Sequence, residues 1–533
     1  MTCGGVVPEL LFVGGPVYLG GGVITSDPVA VCDGRIRLGA ETRADEVIDL
    51  RGRMLLPGFQ DAHIHAVFGG IELGQCYLGR ARTVEACLES LAEYAAANPY
   101  RTWIVGSGWC ATALRDNTEV GELLDSVVPD RPVYLLSKDR EQAWANGMAL
   151  ELAKIDRWLP DPAGGRIDRR PDGAPTGVLE DSAVDLVARL VPELSEAEQL
   201  AGLLRAQRML HELGITGWQD ALLGSSGGQS DPGEIYLLAA AAGTLTARVN
   251  GALCWDPDRG SEQLGELIAR RERLQRGRLQ ARAVKISPCA AASRSAAPSA
   301  AVWRRGVLGA DTVGLSQIVT MLDAHDFQVH FHEHDDRAVR ECLDAVEAAW
   351  KINGDRGNRH HLARLGVVHP DDAERFAAMG AVASMQLSRV GYDPHVDEAT
   401  MPLLGTQHAA SPYPFAELRD SGALLAASSD WPVRSADPLH GIHVAVNRVA
   451  QRGVGRTLLE QYRISLADAI DAYTAGSSYV NHADCTGRIA NGCYADLVVL
   501  DRNPFDYPDV EIADAQVEMT LVEGEIVYAA EGR

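Results

Sequence analysis

One feature restricts this chain more than any other. Through its middle, short apolar strand-like runs alternate with helical patterns. Candidate strands lie at 56–65, 214–219, 247–253, 282–287, 327–332, 364–369, 381–386 and 423–430. Such alternation builds parallel sheet through right-handed helical crossovers, and eight units close into a (β/α)8 TIM barrel. The clearest helix is predicted over 336–350, where residues 338, 339, 342, 343 and 346 share one face. The stretch 66–213 is too long for a single crossover. It predicts a subdomain inserted after the first barrel strand, where such folds accept insertions.

Both ends have a different texture. Val29-Ala30-Val31-Cys32, Asp33-Gly34 and Arg35-Ile36-Arg37-Leu38 read as a hairpin. So do 519–522 and 525–528 around Glu523-Gly524, with another strand over 494–500. Residues 1–56 and 484–533 are therefore expected to form one small β-sandwich flanking a barrel at 57–483. The 46% hydrophobic content of the 533 residues excludes a disordered chain. A net charge of −24 argues against nucleic acid and anionic membrane as partners. The ten cysteines are dispersed without a CxxC pair, which fits reduced thiols and a cytoplasmic protein. Cys110 and Cys289 read as inert buried thiols rather than nucleophiles. The apolar run Leu10–Val13 is broken by Gly14, Gly15 and Pro16, so neither a signal peptide nor a transmembrane helix is expected.

Four features can carry chemistry. The first is Pro57-Gly58-Phe59-Gln60-Asp61-Ala62-His63-Ile64-His65. Residues i and i+2 of a strand share a side, so His63 and His65 at a strand's C-terminal end can reach one metal ion. Fifteen histidines give about 0.4 His-x-His pairs by chance, and the chain has three. The second is Gln328-Val329-His330-Phe331-His332-Glu333-His334-Asp335-Asp336, where histidines alternate with apolar residues just before a helix. Asp335 and Asp336 read as caps of that helix. The third is Asp430, ending the apolar strand 424–429 ahead of Trp431-Pro432. The fourth is Lys285, inside the apolar run Arg282-Ala283-Val284-Lys285-Ile286, where a charged amine is costly to bury.

Taken together, PGFQDAHIH, the stretch from Gly214 to Ala221, VKI at 284–286, VHFH with DRAV at 329–339, VVHPDD at 367–372, SSDWPV at 428–433 and YADLVVLDRNP at 494–504 resemble the amidohydrolase superfamily. The likeness is to its family 3 branch, which includes N-substituted formamide deformylase, and it spans nearly the whole chain. It implies a (β/α)8 barrel, a β-sandwich from both termini and a metal centre at the barrel mouth. Carried over, the pattern implies metal ligands at His63, His65, Lys285 (normally carboxylated), His332 and Asp430, with Asp430 also the catalytic base. The implied cofactor is Zn2+, as one or two divalent ions, and the implied activity is hydrolysis of an amide or N-formyl C–N bond of a small molecule. A homodimer is a further expectation from the resemblance. Trp109, in Gly106-Ser107-Gly108-Trp109, is a candidate substrate-binding residue with a core position as the alternative, and Trp218, in Trp218-Gln219-Asp220 at the end of strand 2, is a second candidate lining the mouth.

The departures from the family pattern cluster at the same place. Arg364 stands where the strand 6 histidine is expected, and a guanidinium offers no lone pair to a metal. Ser287-Pro288-Cys289-Ala290 replaces an Asp-Gly turn, Glu141 replaces a histidine, and Glu333, His334 and Asp335 replace small residues. Three readings stay open: a hydrolase with one metal; a rebuilt second site using His334, His360 or Glu333; or a barrel that binds a small molecule without metal catalysis. A deaminase of the same superfamily is a further alternative.

Overall fold

The computed structural model describes residues 9–39, 44–81, 83–109, 120–138, 140, 142–224, 231–257, 259–286, 312–332, 336–390, 413–449 and 460–530. Cys110, Glu141, 287–290, the Ala/Ser-rich stretch 290–301 and 333–335 lie outside them. Eight parallel strands form one sheet in chain order. They are β1 (Phe59–Ile64), β2 (Ile215–Leu223), β3 (Arg248–Cys254), β4 (Leu279–Ile286), β5 (Gln328–His332), β6 (His361–Ala363), β7 (Val382–Gln386) and β8 (Leu424–Ser428). The expected barrel is present. It is drawn together where β8 meets β1: the Asp430 amide donates to the His63 carbonyl and the His65 amide to the Trp431 carbonyl, both at 2.9 Å.

One strand departs from its expected place. The predicted strand 364–369 is in fact His361–Ala363, followed by loop. Arg364 adopts φ 64°, a left-handed backbone that ends strand pairing. Val367 and Val368, which suggested a strand, are buried in the turn that leads to the helix Pro370–Met379.

Inward and outward residues alternate along β5. Val329 and Phe331 join the apolar layer between barrel and helices, while Gln328, His330 and His332 take the other face. The helix after β5, Asp336–Asn353, buries Ala338, Val339, Cys342, Leu343 and Val346 on one face. Between β1 and β2 sits a second, six-stranded sheet built from residues 76–181, with its own apolar clusters. The two termini form a four-stranded sheet, which includes Val29–Cys32 and Arg35–Leu38, and a six-stranded sheet that pairs Met54–Pro57 with Leu497–Leu500. Strand alternation serves two cores here. Leu55 and Leu497 face the sandwich interior, whereas Met54, Leu56 and Val498 pack onto the barrel. No described helix is long and apolar enough to cross a membrane.

Candidate metal centre

The site forms where the strand ends converge. His63 is the next-to-last residue of β1, and His65 lies just beyond it as the residue preceding helix α1 (Ala66–Leu73). Asp430 follows β8 with φ 59°, a left-handed conformation rare for a non-glycine residue and tolerated best by Asp and Asn. That turn, held by the two backbone hydrogen bonds between β8 and β1, brings the carboxylate back over β1. The Asp61 carboxylate supports it from beneath by accepting from the amides of His63 at 2.9 Å and Ser429 at 3.2 Å.

The result is a close cluster. Asp430 Oδ1 lies 3.5 Å from His63 Nε2 and 3.9 Å from His65 Nε2. One ligand atom from each of the three residues falls within 4.8 Å of the others, and they form the one such group among the described residues. The His332 ring on β5 stands 5.0 Å from that of His63, centre to centre. Lys285 on β4 is near enough for its charge to act on both histidines and on Asp430.

The electrostatics suit a cation. Burial, reinforced by the charge of Lys285, pushes the His65 ring well below its ordinary pKa. Burial also lowers His63, against the pull of Asp430. Both imidazoles are thus neutral near pH 7, the form that ligates metal. Burial opposes ionisation of Asp430, while the Arg389 guanidinium beside it favours the charged form and draws it below the usual carboxylate range. Nε2 of His63 is buried without a hydrogen-bond partner. Two neutral nitrogens and one carboxylate fit a divalent ion such as zinc.

A ring of guanidinium groups borders the cluster. Arg389 Nη2 lies 3.7 Å from Asp430 Oδ2. Burial and the charge of Arg389 push Arg364 down to about 10, and both Asp430 and Arg434 act on it. Arg140, from the inserted subdomain, pairs with Glu72 of α1 and feels Asp430. Arg364 therefore acts on Asp430 as a cation and has no lone pair to offer an ion. His360 does not replace the missing ligand. Its Nδ1 accepts from the Val329 amide at 2.9 Å and its Nε2 meets Asp323 at 3.1 Å. His334 and Glu333 lie outside the described residues.

Neither tryptophan reaches the mouth. Trp109 is buried in the inserted subdomain against Trp144, its indole N–H donating to the Leu135 carbonyl. Trp218 is enclosed between β2 and helix α3 (Gly233–Ala242), donating to the Tyr236 hydroxyl at 3.0 Å. The expectation that they bind substrate is corrected: each fills a core position with its one polar atom satisfied. Arg389, just after β7, was not singled out by the sequence, and Gln219 and His330, beneath His63, stood in candidate segments without a role of their own. The alternation of His330 with His332 on one face of β5 was the available signal for His330.

Comparison with known proteins agrees with this geometry. The amidohydrolase family model matches residues 46–528. The chain belongs to the amidohydrolase family. Among curated relatives, Protein LONG AFTER FAR-RED 3 of Arabidopsis thaliana is 29% identical over 98% of this chain and 92% of its own length. N-substituted formamide deformylase of Arthrobacter pascens is 26% identical, covering 95% of each. Among solved structures, an uncharacterized metal-dependent hydrolase from Pyrococcus horikoshii OT3 superposes with a TM-score of 0.72 at 21% identity, over 94% of this chain and 99% of that one. At that identity the likeness concerns the fold.

Proposed function

We propose that this amidohydrolase uses one divalent metal ion, zinc by its donor set, to hydrolyse a C–N bond of an amide or N-formyl group in a small molecule. The observation that carries the reading is the convergence of His63, His65 and Asp430 from opposite ends of the barrel sheet. The name of one similar protein, a formamide deformylase, supports the reaction class. A divalent ion supplies acidification of a water molecule and polarisation of the scissile carbonyl. The chain's own groups do the rest. His63 and His65 donate neutral nitrogens, with His332 beside them. Asp430, ionised and presenting two oxygens to different neighbours, accepts the proton of the attacking water and returns it to the leaving nitrogen. Arg389 lies 3.7 Å from Asp430 and the charge of Arg364 also reaches that carboxylate, so both oppose a second cation. Burial lowers the Lys285 ammonium and so favours the free amine that reaction with CO2 requires, and a carbamate there adds an anionic donor.

The rival reading is a barrel that binds a small molecule without turning it over, and the Arg364 replacement favours it. Metal analysis of the purified protein, with assays of amine, formate and ammonia release from a panel of amides and N-formyl amines, separates the two. One zinc equivalent, with turnover lost in Asp430→Asn, supports the hydrolase. Absence of bound metal, and turnover indifferent to Asp430→Asn, sinks it.

A further inference from the structure

Beneath His63 runs a buried chain of polar side chains whose hydrogen-bond directions can be read from one end to the other. At its base, Gln328 Nε2 donates to two backbone carbonyls, Arg359 at 2.8 Å and Val480 at 3.0 Å. Carbonyl oxygens only accept, so the orientation of this amide is forced. Its Oε1 then receives Gln219 Nε2 at 2.9 Å, and Asn250 Nδ2 approaches it at 3.5 Å. Asn250 is itself oriented, because its Oδ1 accepts from the Arg282 amide. Gln219 therefore presents its oxygen to His330 Nδ1, at 2.6 Å. An amide oxygen carries lone pairs alone, which places a proton on Nδ1 of His330. His330 is wholly buried, with the His361 ring 4.2 Å away and no carboxylate in the relay, so the ring is neutral and its Nε2 keeps a lone pair. That lone pair faces His63 Nδ1 at 2.8 Å. His63 must then carry its proton on Nδ1, leaving Nε2 bare on the side of Asp430.

We propose that Gln328, Gln219 and His330 act as a positioning relay that fixes the tautomer and ring orientation of His63, so that its Nε2 lone pair is committed to the metal before the ion arrives. The inference rests on the one-metal reading above, but its direct observable, the site of a proton, does not require metal. None of the three relay residues approaches the reacting atoms; they act through His63. A neutral imidazole not fixed in this way divides between two tautomers, one of which cannot ligate through Nε2. Partners of this kind typically contribute 10–100-fold to metal affinity.

The test is carried out on the full chain with 15N-labelled histidine. Long-range 1H–15N correlation on the metal-free protein assigns the protonated nitrogen of His63, with His63→Asn identifying its signals. Zinc affinity is measured by competition with a chromogenic chelator. The relay predicts an Nδ1-protonated His63 in the wild type. It predicts a tautomer mixture and zinc binding weakened about 10–100-fold in His330→Phe and Gln219→Leu. An Nε2-protonated His63 in the wild type overturns the proposal without any variant having to fold. Unchanged zinc affinity in both folded variants also overturns it. Nδ1 protonation in a wild-type protein that takes up no zinc supports the relay and removes the metal reading instead.

Discussion

At the scale of single residues, the account turns on which side chains are held charged and which neutral. Asp430 is the ionised member, and Asp430→Asn is expected to lower kcat about 10²–10⁴-fold while the chain still folds, checked by steady-state kinetics beside a thermal melt. In the proposed one-metal site, Arg364 is the residue that opposes a second ion. Arg364→His is expected to raise bound zinc from one equivalent to two, measured by elemental analysis. No gain in zinc contradicts the place given to Arg364. Much of this was legible in the sequence, because His63, His65 and Asp430 sit at strand ends and strand ends are where barrels collect function. The tryptophans were not legible. Trp218 and Gln219 are neighbours on β2, and which of them turns toward the lumen depends on a register that shifts along the β1–β2 pairing. Gln219 takes the lumen and Trp218 the helix layer.

At the scale of elements, close packing beside the site sets what each helix tolerates. Helix α1, which follows His65, crosses helix α2 (Glu196–Glu212) so tightly that a Cβ at Gly70 overlaps the Gly202 carbonyl oxygen, and one at Gly202 comes within 2.7 Å of Ile71. Gly70→Ala is expected to cost about 1–3 kcal/mol in urea unfolding. A nearby carboxyl on β2 gives a pH effect. Burial pushes Asp220 up to about 7, although the Tyr236 hydroxyl donates to it at 2.6 Å. Between pH about 4 and 7 the folded protein holds a proton that the unfolded chain has released, so this group makes stability fall as pH rises across that window. Asp220→Asn is expected to remove that share, and the difference between melting points at pH 5 and pH 8 changes accordingly from wild type. An unchanged difference contradicts it. The helical and strand periods identified most elements. They failed at β6, where the apolar pair Val367 and Val368 imitated a strand and the left-handed turn at Arg364 carried no periodic signal.

At the scale of the whole molecule, the barrel and the terminal sandwich are joined by charge as well as by shared apolar strands. Arg248 on β3 reaches Asp496 at 2.7 Å and Glu523 at 2.6 Å, and Arg278 also binds Glu523 at 2.6 Å. Asp496 is buried, so Asp496→Ala leaves a largely desolvated guanidinium with one of its two carboxylate partners, Glu523. A loss of about 1–3 kcal/mol is expected in denaturant unfolding. Both terminal hairpins were readable from their turn dipeptides, but their union into one body depends on pairing between Met54–Pro57 and Leu497–Leu500, which no local pattern encodes. A second long-range closure, of β8 against β1, places Asp430 over β1 and so creates the site. Anomalous diffraction above the zinc edge, on crystals of the protein as purified, tests that closure most directly. The account predicts one peak about 2.0–2.2 Å from nitrogen atoms of His63 and His65 and an oxygen of Asp430. A map with no peak there, and the three side chains turned away from a common point, contradicts it.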